Sequence, residues 1–159
     1  MKKILFIVAL LATAFVQRSY AQETPQQTLF SQLLSHYYNI KDALVAGNAT
    51  VASMQAEDFV KTVNGIDHKL ISEGNIHTLL KDAGAISETK DIRQQRSYFS
   101  NLSDNMYLVA KAVKLTADPV YYNYCPMKKS YWLSNNKAIK NPYYGSSMLT
   151  CGKITETIK

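Results

Sequence analysis

The sequence predicts an all-α protein: an antiparallel bundle of about four helices followed by a small irregular, partly β C-terminal lobe. Three observations predict it. Apolar residues between Thr28 and Leu115 recur at three- and four-residue steps. Glycine and asparagine punctuate these runs and leave links short enough to make neighbouring helices antiparallel. At Asp118-Pro119 the helical pattern stops, and β-formers mixed with turn residues take over.

Ahead of the bundle, Lys2 and Lys3 precede the apolar run Ile4–Phe15, which is too short to span a bilayer comfortably. Ser19-Tyr20-Ala21 then places small residues where a signal peptidase reads. Residues 1–21 are therefore expected to be a signal peptide, 22–27 a flexible leader, and 28–159 a single domain of an exported, periplasmic or secreted protein. No cysteine lies near the cleavage point, which argues against a lipid anchor there. Taking Lys2, Lys3 and Arg18 from the 18 Lys+Arg leaves 15 basic residues against 12 acidic ones, a balance of +3. That is too mild and too scattered for a nucleic-acid face. No Gly-rich phosphate loop, sustained repeat or low-complexity tract occurs.

The first helix is expected over Thr28–Ala46. Phe30, Leu33, Leu34, Tyr37 and Leu44 form its apolar stripe, with Lys41 in the same register. Gly47 stops it, and Asn48 caps a second helix over Ala49–Asn64 with the stripe Ala52, Ala56, Phe59, Val60 and Val63. A short third helix is expected over Ile76–Ala83, capped by Asn75, ended by Gly84, and carrying Ile76, Leu79, Leu80 and Ala83 on one side. Ser87 opens the longest helix, Glu88–Leu115. Its early acids Glu88 and Asp91 and its late Lys111 and Lys114 complement the macrodipole. Ile92, Gln95, Phe99, Leu102, Met106, Val109 and Val113 form a bundle seam. In the lobe, from about residue 118, Val120–Tyr124 and Lys153–Ile158 are expected to form one small strand pair. Asn135-Asn136, Asn141-Pro142 and Gly145-Ser146 supply turns between them.

The lobe also carries the candidate chemistry. Cys125-Pro126-Met127 sets two sulfur side chains two residues apart, on one face if the segment is extended. Met148-Leu149-Thr150-Cys151 sets two more three residues apart, which suits a turn. If the segments meet, Cys125, Met127, Met148 and Cys151 form a soft Cys2Met2 donor set. Such a set selects Cu(I), and Ag(I) with it, over harder ions. Trp132 and Tyr144 would shield the ion. Zinc fits less well, because only two cysteines exist and methionine is not a usual zinc ligand. His36, His68 and His77 lie on or between helices and are not expected to be ligands.

The competing reading is a Cys125–Cys151 disulfide that staples a helical protein-interaction module with no metal. An oxidising compartment favours it, and it would stabilise by about 3.5 kcal/mol on the loop-entropy account. Both readings need the cysteines to be neighbours, and on the residues alone both stay open. No enzyme is expected: the Ser-His-Asp order, H-E-x-x-H and C-x-x-C are absent. The sequons at Asn48 and Asn101 fall in or beside helices and are read as chance matches.

The words Tyr124-Cys125-Pro126-Met127, Tyr131-Trp132-Leu133-Ser134 and Asn141-Pro142-Tyr143-Tyr144-Gly145-Ser146-Ser147-Met148-Leu149-Thr150-Cys151-Gly152 resemble an uncharacterised family of exported bacterial domains. Tyr38-Asn39-Ile40-Lys41-Asp42-Ala43-Leu44-Val45 resembles it too. Members occur alone or fused to periplasmic adaptor subunits of heavy-metal efflux pumps. The resemblance implies copper or silver handling, with Cys125, Met127, Met148 and Cys151 as metal ligands and such an adaptor as partner. It moves the balance from the disulfide toward the metal. It supplies no catalytic residues, because the family is itself a domain of unknown function. This chain lacks the adaptor module, so it would act as a free carrier or buffer, or dock onto a pump.

Overall fold

The computed structural model describes residues 24–159; the expected signal peptide, residues 1–21, lies outside them. Four helices are present, as the sequence predicts, and a small three-stranded antiparallel sheet follows where it predicts a single strand pair. Helix α1 spans Pro25–Ala46, α2 Ala49–Asn64, α3 Glu73–Glu88 and α4 Ile92–Ala112. The first begins before the expected Thr28. Pro25 suits the first turn, where its missing N–H is not needed, and Thr24 caps it by accepting from Gln27 N–H. The leader expected over 22–27 is thus part of a helix from Pro25 onward. Gly47, at φ 73°, ends α1 and donates back to the Ala43 and Leu44 carbonyls. Asn48 Oδ1 then accepts from Val51 N–H at 3.0 Å and starts α2.

Both ends of the third and fourth helices also differ from expectation. Helix α3 is longer at both ends, because Ser72 rather than Asn75 caps it and Gly84 lies inside it. One interior glycine destabilises a helix by only about 1 kcal/mol, and burying Ile86 in the turn beyond it offsets that. Ser87 therefore does not open the next helix. Its hydroxyl donates to Gly84 O at 2.7 Å, and Glu88 ends α3 instead of starting α4. The cap of α4 is Asp91, whose Oδ1 accepts from Arg93 N–H at 2.9 Å. Lys114 falls beyond its end.

The expected stripes face inward. Leu33, Tyr37, Leu44, Phe59, Leu79, Phe99, Leu102, Met106 and Val109 are fully buried. Lys41 keeps its place in the stripe: it is buried along its stem, with Nζ reaching Asp42 Oδ1 at 3.0 Å and lying over the Tyr38 ring. Gln95, also in the seam, is fully buried, and its carboxamide donates to the Ala49 and Thr89 carbonyls where α2 starts and α3 ends.

The sheet has the order β2-β1-β3, with β1 Val120–Cys125, β2 Ser130–Ser134 and β3 Lys153–Ile158. The expected β1–β3 pair is present, with Tyr121 opposite Thr157 and a bulge between Tyr122 and Asn123. The sequence reading did not assign β2, which pairs Tyr124 with Tyr131 and Cys125 with Ser130. The sheet is seated on the bundle by Tyr37. Its hydroxyl oxygen accepts from Leu133 N–H at 3.0 Å and lies 2.7 Å from Ser103 Oγ. A stack of tyrosines runs along the same junction. Ring centroids are 4.0 Å apart for Tyr107 and Tyr122, 4.7 Å for Tyr122 and Tyr131, and 4.6 Å for Tyr131 and Tyr124.

Candidate metal centre

Strand β1 ends at Cys125 because Pro126 cannot donate to a ladder. The chain turns through Lys129, at φ 57°, and Lys129 N–H closes the turn on Cys125 O at 2.8 Å. This curl aims a backbone N–H group at sulfur. Lys128 N–H points to Cys125 Sγ at 3.4 Å.

Cys151 arrives from the opposite direction. A 3-10 turn over Gly145–Met148 precedes it, and Cys151 N–H donates to Met148 O at 3.1 Å. Two glycines make this path possible. Gly145, at φ 56°, lies against the C-terminal end of α1, where a Cβ would sit 2.8 Å from Val45 O and 2.7 Å from Arg96 Nη2. Gly152 presses on Trp132, where a Cβ would sit 2.7 Å from the ring and 3.1 Å from Tyr124 O. The buried Trp132 is thus a floor beneath the Cys151 segment.

One residue ties the two segments together. Asn141 is fully buried, and its Nδ2 donates to Cys125 Sγ at 3.1 Å and to Cys151 O at 2.7 Å. Its Oδ1 accepts from Tyr143 N–H at 2.8 Å, which fixes which way the carboxamide faces. Its backbone N–H donates to Leu149 O, and its carbonyl accepts from Gly145 N–H. The sequence reading took Asn141-Pro142 only as turn chemistry. The contact that matters joins residues far along the chain, so no local pattern announces it.

Both cysteines are free. The two segments bring the thiols near enough for each to feel the other's charge, without a covalent bond, Cys125 fully buried and Cys151 half-buried. Burial first, then the nearby Cys125, push the Cys151 thiol above its ordinary value, while the Met127 backbone pulls it down. Two thiolates side by side repel, so this placement favours the protonated form of Cys151. A cation between them would remove that repulsion.

The methionines are placed differently. Met127 is 61 % exposed and Met148 38 %, so neither thioether is buried as Cys125 is. Tyr144 is half-buried against the core. Among the described residues no group of three or more His, Cys, Asp and Glu side chains converges.

Residues 33–118 match the family described as Protein of unknown function (DUF3347). The chain belongs to that family. The matched residues cover most of the bundle and end at the junction with β1, so Cys125, Met127, Met148 and Cys151 lie beyond them. No curated protein and no solved structure matches the chain. As a DUF3347 domain the chain has a family but no inherited chemistry, and the reading of its lobe rests on the lobe's own geometry.

Proposed function

We propose that this protein binds a soft univalent metal ion, Cu(I) and its chemical neighbour Ag(I), outside the cytoplasm, in heavy-metal efflux or homeostasis. The observation that carries the reading is the approach of two free thiols from separate segments, with N–H donors from Lys128 and Asn141 directed at the Cys125 sulfur. Donors of this kind stabilise sulfur as an anion, the form that binds metal. Cys125 and Cys151 serve as thiolate ligands. Met127 and Met148, both exposed, supply thioethers as the ion binds, and soft donors of both kinds favour Cu(I). The ion is cargo here, and its hand-over goes to a partner such as the periplasmic adaptor of a metal-efflux pump.

The test is competition for Cu(I) against a colorimetric chelator under reducing conditions. One equivalent binds tightly to the wild type. Met127→Leu and Met148→Leu, which keep volume and apolarity, each lose a large part of that affinity. Variants that compete as well as the wild type remove methionine from the donor set.

The same approach of the thiols supports a second reading, the Cys125–Cys151 disulfide of a helical interaction module. Alkylation of protein taken directly from cells separates the two. Blocked cysteines that take up no copper after reduction favour the staple; thiols that react, or that bind copper once reduced, favour the metal.

A further inference from the structure

We propose that the tip of the lobe around the two thiols is a docking surface for a protein partner with an acidic face. The purpose of docking, transfer of the ion, and the preference for a protein over a lipid surface rest on the metal reading; the surface itself does not. Charge is segregated between the two parts of the molecule. Residues 24–118 hold nine Lys and Arg against ten Asp and Glu, whereas Pro119 to Thr155 contains five lysines and no acid. Four of those lysines gather where the sulfurs are. Lys128 and Lys129 form the turn after Cys125, Lys140 precedes Asn141, and Lys153 pairs across the sheet with Tyr124. All four are exposed, and none is in an ion pair among the described residues.

The same tip carries exposed apolar side chains: Met127, Met148, Leu149 and Ile154. Leu149 is fixed there by its carbonyl bond to Asn141 N–H. An apolar centre ringed by charge of one sign is how a protein interface combines contact area with steering. Nucleic acid fits poorly, because the lobe presents no open stacking platform. Tyr122, Tyr124 and Tyr131 stack on one another, and Trp132 and Tyr143 are buried. A lipid surface fits less well than a protein, because a soft ion held by sulfur leaves by exchange onto other sulfur or nitrogen donors, which lipids do not offer.

The experiment follows backbone amide NMR shifts of the metal-free, reduced protein with three probes. These are a glutamate-rich peptide carrying interspersed leucine and methionine, a glutamate-only peptide, and vesicles of phosphatidylglycerol and phosphatidylethanolamine. The mixed peptide is expected to shift residues 126–129, 140 and 148–154, and to bind more tightly than the glutamate-only peptide. Its binding falls by about tenfold or more when salt is raised to about 0.3 M, where the screening length drops to roughly 6 Å. The triple variant Lys128→Glu, Lys129→Glu, Lys153→Glu abolishes the shifts, while Lys61→Glu with Lys81→Glu on the bundle leaves them unchanged. Shifts spread evenly over all lysines, or retained in the triple variant, overturn the proposal. So does capture by the vesicles when the mixed peptide is not bound. Since no metal is present, loss of copper binding in a variant cannot be mistaken for loss of docking.

Discussion

Tyr37 shows how single atoms couple bundle and lobe. Its buried hydroxyl serves Ser103 on α4 and the Leu133 N–H on β2 at once. Tyr37→Phe leaves that N–H without its partner, and chemical denaturation should report a loss of about 1–3 kcal/mol. Asn141 plays the matching part inside the lobe. Asn141→Leu keeps much of the volume but removes both Nδ2 donors and the acceptor for Tyr143 N–H. A comparable loss, about 1–3 kcal/mol, is expected in the metal-free protein. At the thiols the sign of the pH effect follows from the raised Cys151 value. Metal must displace a proton held there, so apparent Cu(I) affinity rises with pH and levels off above that raised value. Chelator competition across a pH series measures it; an affinity independent of pH contradicts it.

At the scale of elements, legibility depended on how local the deciding interaction was. The bounds of α2, Ala49–Asn64, were readable because Gly47 and Asn48 act within a turn of the sites they define. The end of α3 was not, because Gly84 is a weak stop that a tertiary contact of Ile86 overrides. Gly84 has open space around its Cβ position, so Gly84→Ala should stabilise by about 0.5–1 kcal/mol, read as a raised denaturation midpoint. Strand β2 was missed although Tyr131-Trp132-Leu133 lies between Lys128-Lys129 and Asn135-Asn136. Its pairing to β1 needs the bundle to cover Leu133, which sequence pattern does not display.

Strand β3 is held to α4 at one point, where Lys111 Nζ and the Tyr107 hydroxyl both donate to Glu156, at 2.6 and 2.8 Å. Lys111, then Tyr107, hold the Glu156 carboxyl below its ordinary value. This contribution is present above the usual carboxylate range and is lost as pH falls through the depressed folded value. Hydrogen-exchange protection of β3 amides, corrected for the intrinsic rate at each pH, should therefore fall on acidification more than that of α2, and Glu156→Gln should remove the difference.

For the whole molecule, the proposed function makes the bundle a scaffold and puts the chemistry in the lobe. The helices follow from periodicity, and the family match covers them. The expectation that the two cysteine segments meet could be framed from Cys and Met spacing. What brings Cys125 and Cys151 together is nonlocal: the central place of β1, the Asn141 tie, and two glycines that let the chain pass over Arg96 and Trp132. The same path leaves Met127 and Met148 exposed, which spacing alone did not reveal. The most direct test of the central claim is X-ray absorption at the copper edge of the reduced, Cu(I)-loaded protein. The account predicts a first shell made only of sulfur, with fewer scatterers in the Met127→Leu, Met148→Leu double variant and no stable copper in Cys125→Ser, Cys151→Ser. A first shell of nitrogen or oxygen, or a wild-type spectrum unchanged by removal of both cysteines, would contradict it.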